Sequence, residues 1–133
     1  MTTSQTSNHK GSILIVDDEI AFCTVIREIL RTAGFHVRIA HRASEALELL
    51  DDIVPDLILT DIMMPEMDGI SLIREIRRRA GFSSTPILVV TAKSQIDDYM
   101  GAHEAGANEI LTKPFTSQEL LSLIQLHING AHH

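Results

Sequence analysis

Apolar segments of two kinds alternate five times along this chain, and this alternation restricts its fold more than any other feature. Five short runs rich in Ile, Leu and Val have the character of strands, and each is followed by a segment with apolar residues at helical spacing. The predicted strands are 12–17, 36–40, 56–60, 86–91 and 108–112, and the predicted helices are 19–34, 43–50, 70–80, 96–106 and 116–128. Five consecutive βα units predict an α/β fold, a doubly wound parallel sheet with helices on both faces.

The composition of the strands predicts their order in the sheet. Strands one, three and four are almost wholly apolar, as expected for strands that are buried on both faces. Strand two alternates apolar and polar residues, and strand five begins with Asn108 and Glu109, so these two strands are expected at the edges. The order 2-1-3-4-5, one of the two common doubly wound arrangements, places them there.

A single domain accounts for nearly all of the chain, because 133 residues with 44% hydrophobic content supply one ordinary core. We expect this domain at 12–128, a flexible tail at 1–11, and a further tail or an expression remnant at 129–133.

The polar start lacks the apolar region of a signal peptide, and no apolar run is long enough to span a bilayer, so we expect a cytoplasmic protein without a membrane partner. A net charge of −7 argues against nucleic-acid binding by this domain, and a lone Cys23 favours a reducing compartment.

The ionisable and hydroxyl residues collect at one end of the predicted sheet. They are Asp17 and Asp18 after strand one, Asp61 after strand three, Thr91 at the end of strand four and Lys113 after strand five. Each residue has an ordinary explanation as a helix cap, a loop acceptor or a solvated charge, but their coincidence at four neighbouring strand ends indicates a ligand site. Three carboxylates and one lysine leave an excess of negative charge, and their oxygen donors favour Mg²⁺, Mn²⁺ or Ca²⁺ over zinc. Beside such a metal, the Asp61 carboxylate would be able to form an aspartyl-phosphate.

Four blocks of the sequence resemble the signature segments of the receiver domain of bacterial two-component response regulators. They are IVDDE at 15–19, DIMMPEMDG at 61–69, VVTAK at 89–93 and LTKPF at 111–115. The resemblance covers about 12–128 and implies a flavodoxin-like (βα)₅ fold. It also implies a phosphorelay module that takes a phosphoryl group onto Asp61 from a phosphohistidine of a histidine kinase or phosphotransfer protein. Such a module needs Mg²⁺, with Mn²⁺ as an alternative, and is not an enzyme beyond its own phosphorylation and dephosphorylation.

The same resemblance implies a role for each residue of the site. Asp17, Asp18 and Asp61 would bind the metal through carboxylates, and Met63 would bind it through its backbone carbonyl. Three further residues would surround the phosphoryl group: Thr91 would hydrogen-bond it, Ala92 would leave room for it, and Lys113 would pair with one of its oxygens. The peptide bond before Pro114 would be cis.

One position departs from the family pattern. Many members carry Tyr or Phe three residues before the lysine, whereas this chain carries Ile110. A switch that works through a rotating aromatic ring therefore cannot operate, and we expect phosphorylation to be transmitted by a shift of strand five and helix four instead.

The last helix is more apolar than one buried face requires. Its core-facing residues are predicted to be Leu120, Leu121, Ile124 and Ile128. Leu123 and Leu126 would then face solvent next to Ile110, and we interpret these three as an apolar contact for a homodimer or a target protein on the helix 4–strand 5–helix 5 face. The helix has no Lys or Arg, which disfavours contact through charged pairs. The run Arg77–Arg79 is interpreted as a solvated helix end.

Two other functions are alternatives to phosphorylation. A receiver-like module would bind partners without taking up phosphate, and a stand-alone Mg²⁺ phosphohydrolase would use an aspartyl nucleophile. The hydrolase would be expected to carry an acid–base Asp two residues after the nucleophile, where this chain has Met63. The complete set of acceptor-site residues favours the phosphorylated signalling module.

Overall fold

A computed structural model of the chain describes residues 10–92 and 99–131, and it contains five strands and five helices in alternation. In chain order they are β1 (Ser12–Val16), α1 (Ile20–Thr32), β2 (His36–Ala40), α2 (Ala43–Leu49), β3 (Leu57–Thr60), α3 (Gly69–Arg78), β4 (Ile87–Ala92), α4 (Tyr99–Ala105), β5 (Glu109–Lys113) and α5 (Ser117–Ala131). The strands form one parallel sheet in the order β2-β1-β3-β4-β5, so the predicted fold class and strand order are confirmed.

Described residues extend beyond both ends of the predicted range 12–128. Lys10 N–H donates to the Gly34 carbonyl at 2.8 Å, and the Gly11 carbonyl accepts from His36 N–H at 2.9 Å. Lys10 and Gly11 are therefore hydrogen-bonded to the chain at the start of β2. Helix α5 continues to Ala131, three residues past the predicted domain end. Residues 1–9 and 132–133, where the tails are predicted, and 93–98 lie outside the described part. Among the described residues, no helix combines the length and the apolar character that crossing a bilayer requires.

Two apolar layers cover the two faces of the sheet. Successive residues of a strand point to opposite faces, so Leu14 and Val16 enter one layer and Ile13 and Ile15 enter the other. The first layer contains buried residues of α2, α3 and α4, and the second contains those of α1 and α5. Strands β1, β3 and β4 are buried on both sides as their composition predicts, and their carboxyl ends are thereby fixed relative to one another.

The last helix does not expose both leucines that were expected at its surface. Leu126 is 62% exposed, but Leu123 is partly buried and packs against the layer that contains α1 and α5. Ile110 is also partly buried and packs against the opposite layer. The expectation of a solvent-facing Leu123 is therefore wrong, because the helix buries a wider apolar stripe than its four core positions indicate.

The arginine run at the end of α3 is only partly solvated, and the prediction fails for Arg77. Its partly buried guanidinium donates to four oxygens at 2.7–3.1 Å: the carbonyls of Phe82, Thr85 and Gly106 and the Asn108 side-chain oxygen. Arg78 and Arg79 instead form ion pairs with Glu75 and Asp51. Arg77 thus joins α3, the following loop and the α4–β5 connection at the amino end of the sheet.

Candidate functional site

The sheet brings Asp17 and Asp61 together because their strands are neighbours in register. Val16 of β1 pairs with Thr60 of β3, and each aspartate is the next residue of its chain segment. The Asp61 backbone N–H donates to the Val16 carbonyl at 3.1 Å, which extends the ladder by one bond beyond the strands. Two carboxylates thus leave the sheet side by side at its carboxyl end, as predicted.

Lys113 joins this pair from the end of β5. Its Nζ lies 3.5 Å from Asp61 Oδ2, 3.6 Å from Asp17 Oδ2 and 4.0 Å from Glu19 Oε1. Close charge-assisted hydrogen bonds are about 2.7–2.9 Å long, so the ammonium is shared among the carboxylates rather than bound tightly to one. The ammonium also lies over the ring of Phe22, 4.1 Å from its centroid. The site therefore holds a cation between two carboxylates and an aromatic face.

Backbone and side-chain groups hold Asp17 from several directions. Its N–H donates to the Ala40 carbonyl at 3.0 Å, and its own carbonyl accepts from Cys23 Sγ at 3.3 Å and contacts His41 Nδ1 at 3.1 Å. Its Oδ1 accepts from Glu19 N–H at 2.9 Å. These contacts fix the carboxylate in a position where it is almost completely buried.

Burial raises the pKa of the Asp17 carboxyl above its ordinary value, since desolvation penalises the charged form. The hydrogen bond from Glu19 N–H and the charge of Lys113 oppose this rise in pKa, and the neighbouring Asp61 and Asp18 add to it. The ionised carboxylate is thus held at a cost in free energy, and a bound cation would offset that cost.

The loop after β3 holds Asp61 rigidly. Its Oδ1 accepts from Ile62 N–H at 2.6 Å and from Met63 N–H at 3.4 Å. The Ile62 carbonyl accepts from Gly69 N–H at 2.7 Å, and a Cβ on Gly69 would lie only 2.1 Å from the Asp61 carbonyl oxygen. Only glycine allows the start of α3 to approach the acceptor residue this closely.

Thr91 carries the clearest unmet polar group of the site. It lies in β4 and is completely buried, and its Oγ1 has no hydrogen-bond partner among the described residues. Buried hydroxyls are nearly always bonded, because an unpaired one costs about 1–3 kcal/mol. Ala92 follows it and pairs in register with Lys113, and the Lys113–Pro114 peptide bond is cis. Within the described residues the hydroxyl is thus an unused donor, on the strand next to the charged end of β5.

Two of the predicted metal ligands lie at the protein surface. Asp18 and Met63 are exposed, and Met63 has 56% of its surface accessible. Within residues 10–92 and 99–131, no group of three or more His, Cys, Asp or Glu side chains is arranged to hold a metal ion. Asp17 and Asp61 nevertheless direct one carboxylate oxygen each toward the same ammonium nitrogen, at 3.6 and 3.5 Å, and carboxylate oxygens are the type of donor that a small hard cation takes.

Sequence reasoning missed Phe22, Glu19 and His41 as neighbours of the site. Phe22 and Glu19 lie close to the pair Asp17–Asp18 in sequence, and the start of α1 beside the predicted site was the available signal. His41 reaches Asp17 from the end of β2, which only the neighbouring position of β1 and β2 makes possible.

The family model described as the response regulator receiver domain matches residues 13–125. The chain belongs to this family. Among curated relatives, the transcriptional regulatory protein CpxR of Klebsiella pneumoniae subsp. pneumoniae is 40% identical over 123 residues, which cover 92% of this chain and 51% of that protein. The chain therefore spans about half the length of that curated relative.

Solved structures agree with this receiver-domain assignment. A putative response regulator from Chloroflexus aurantiacus has a TM-score of 0.86 and 34% identity, with 90% of this chain and 98% of that chain covered. The receiver domain of a sensor histidine kinase from Pseudomonas aeruginosa has a TM-score of 0.83 and 34% identity over the same shares of the two chains. That structure contains a magnesium ion coordinated in the active site cleft.

Proposed function

We propose that this receiver domain takes a phosphoryl group onto Asp61 and thereby switches a protein-interaction face. The observation that carries the proposal is the meeting of Asp17, Asp61 and Lys113 at the carboxyl end of the sheet, where β4 also ends with a buried Thr91 hydroxyl that has no hydrogen-bond partner in the described part of the chain. This arrangement offers an acceptor carboxylate, a second carboxylate, a positive charge and an unused hydrogen-bond donor. Each of these is a group that phosphoryl transfer to an aspartate would use.

In the proposed reaction, a carboxylate oxygen of Asp61 attacks the phosphorus of a phosphohistidine on a histidine kinase or phosphotransfer protein. The new bond joins that oxygen to phosphorus, and the phosphorus–nitrogen bond breaks. The electron pair of the broken bond stays on the imidazole nitrogen, which takes up a proton. The Lys113 ammonium pairs with a phosphoryl oxygen, and the Thr91 hydroxyl donates to another, which offsets the negative charge that arrives.

The residues present suit a divalent cation. Mg²⁺, or Mn²⁺ in its place, would be held by the carboxylates of Asp17, Asp18 and Asp61 and the Met63 carbonyl, and it would supply positive charge at the transferring group. The raised pKa of the Asp17 carboxyl supports this assignment, because an ionised buried carboxylate is stabilised by a metal. The protein groups hold the acceptor still and exclude water from one side of it.

The switch would begin at Thr91. A hydroxyl that turns toward the phosphoryl group leaves its buried position, and Ala92 is small enough to allow the movement. Because Ile110 supplies no aromatic ring, we propose that the signal passes as a displacement of β5 and α4. Ile110 and Leu126 mark the helix 4–strand 5–helix 5 face as the contact for a second copy or a target protein, and Leu123 would contribute only its exposed edge. The acidic domain would act in the cytoplasm and make no nucleic-acid contact itself.

The test of the proposal is phosphorylation by a small donor. The protein is incubated with Mg²⁺ and acetyl phosphate, and intact mass spectrometry is used to look for one added phosphoryl group. We expect an adduct on the wild type and on Asp52→Asn, an exposed control carboxylate, and no adduct on Asp61→Asn or in the presence of a chelator. An unmodified wild type, or an adduct that survives in Asp61→Asn, would overturn the proposal. Retained partner binding by an unmodified wild type would instead indicate a binding module that works without phosphate.

A further inference from the structure

Phe22 places an aromatic face directly beneath the ammonium group of the site. The Lys113 Nζ lies 4.1 Å from the Phe22 ring centroid, and the Phe22 ring meets Phe115 edge-on with a centroid distance of 6.2 Å and an interplanar angle of 90°. We propose that Phe22 is a positioning residue for phosphoryl transfer, which holds the Lys113 ammonium beside Asp61. This inference rests on the proposed function and adds a residue of α1 to it.

The charges around Lys113 do not fix its position by themselves. The ammonium lies 3.5–4.0 Å from the oxygens of Asp17, Asp61 and Glu19, so none of these forms a close ion pair with it. The Glu19 side chain is 65% exposed, whereas those of Asp17 and Asp61 are 3% and 14% exposed. Glu19 therefore attracts the ammonium outward into water, away from the acceptor.

The ring opposes this outward movement. A cation is attracted to the face of an aromatic ring, and the attraction is larger where water is excluded. Only 23% of the Lys113 side chain is exposed, and Phe115 supports the Phe22 ring from its edge. The ring thus confines the ammonium to the inner side of the site, where Asp61 and Asp17 lie.

The effect on the reaction follows from this confinement. With acetyl phosphate as donor, the bond from an Asp61 oxygen to phosphorus forms, the acyl oxygen–phosphorus bond breaks, and acetate leaves with the electron pair. Lys113 offsets the phosphoryl charge during this step, so a displaced ammonium slows the transfer. Phe22 does not touch the reacting atoms and acts only through Lys113.

Phe22→Leu removes the ring face and keeps an apolar side chain at that position. We expect its maximal phosphorylation rate to fall about fivefold, which corresponds to ~1 kcal/mol, while the KM for acetyl phosphate changes little. Affinity for Mg²⁺ should not weaken, because a less confined ammonium repels the cation less. Phe22→Tyr keeps the ring face and should restore most of the rate.

Phe35→Leu is the matched control. It makes the same substitution in the same apolar layer, at a residue that is 5% exposed, and it lies outside the site. It should be destabilised without losing phosphorylation rate, so a loss confined to Phe22→Leu separates positioning from stability.

A second readout needs no phosphate. The ε-methylene protons of Lys113 lie near the ring face in the wild type, so their NMR signals should be shifted upfield by the ring current. Phe22→Leu should abolish this shift, and Phe22→Tyr should keep it. Three results would overturn the inference and leave the proposed function standing. They are an equal phosphorylation rate in Phe22→Leu and wild type, an equal loss of rate in Phe35→Leu and Phe22→Leu, and an unshifted Lys113 signal in the wild type. A wild type that takes up no phosphoryl group would overturn both.

Discussion

Arg77 provides the sharpest test of how the domain is held together away from its site. Its guanidinium makes five N–H···O contacts with the carbonyls of Phe82, Thr85 and Gly106 and with the Asn108 side chain. Arg77→Met keeps the apolar stem and removes every donor, which leaves three loop carbonyls without their partner. The change thus acts on one set of contacts at the amino end of the sheet.

The size of the effect can be worked from these contacts. A hydrogen bond to a charged group contributes roughly 1.5–3 kcal/mol, but the bonds act as one unit and water reaches part of the site. We therefore expect a loss of about 3 kcal/mol, a large fraction of the 5–15 kcal/mol that is typical of a domain. At an m value of about 2 kcal/mol/M, the urea midpoint should fall by about 1.5 M.

Equilibrium urea unfolding measured by circular dichroism is the assay, and Arg78→Met is the control. Arg78 is the next residue, its side chain is 70% exposed, and among the described residues it makes only an ion pair with Glu75, so its loss should cost less than about 0.5 kcal/mol. Arg77→Lys should recover little stability, since an ammonium cannot reproduce the planar fork. If Arg77→Met and Arg78→Met unfold at the same urea concentration, Arg77 is not the structural link described above.

Three further predictions concern the site and its surroundings. Asp17→Asn should raise the Tm at pH 7 without Mg²⁺ by a few degrees, because the buried Asp17 carboxyl has a pKa that is higher in the folded than in the unfolded protein. The stability that this carboxyl contributes is complete below its unfolded pKa and is lost as the pH rises through its folded pKa. The difference in Tm should therefore vanish in acid, and a lower Tm for the variant at pH 7 would contradict the prediction. Burial, together with the charge of Asp17, raises the pKa of the Cys23 thiol to about 11. Native protein at pH 8 should therefore react with iodoacetamide about 100-fold more slowly than protein unfolded in urea, and equal rates would refute the burial of the thiol. Gly69→Ala should cost ~3 kcal/mol in urea unfolding, because its Cβ would meet backbone atoms of Asp61 and Ile62, whereas Gly101→Ala, which meets only the flexible end of Ile70 at 3.2 Å, should cost much less.

The sequence predicts those parts of the fold that depend on local pattern and chain topology. Apolar runs and helical spacing are properties of neighbouring residues, and the burial of a strand is visible in its own composition. Once the strand order is known, the meeting of Asp17 and Asp61 follows, because they end the neighbouring strands β1 and β3. Lys113 ends β5 on the same edge of the sheet, with β4 between it and β3, and its long side chain spans that distance.

Contacts that join distant side chains could not be predicted in this way. Arg77 bonds to Gly106, 29 residues later, and nothing in the run of three arginines distinguishes its first member. A helical projection likewise assigns Leu123 to the surface, because it cannot show how far the neighbouring layer reaches around α5. The pairing of Phe22 with Lys113 depends on a side-chain direction that only the assembled structure provides.

The two ends of the sheet differ in how completely their polar groups are satisfied. At the amino end, Arg77 has a partner for each of its nitrogens, and the Asp56 carboxylate accepts from Ser12 N–H at 2.8 Å. At the carboxyl end, burial raises the pKa of the Asp17 carboxyl, Lys113 is shared without a close partner, and the Thr91 hydroxyl has none among the described residues. Unsatisfied groups of this kind cost stability wherever they occur, so the well-bonded amino end compensates for them. A ligand that satisfies all three groups at once will therefore stabilise the domain more than its few direct contacts indicate, because it also removes a cost that the folded chain already bears.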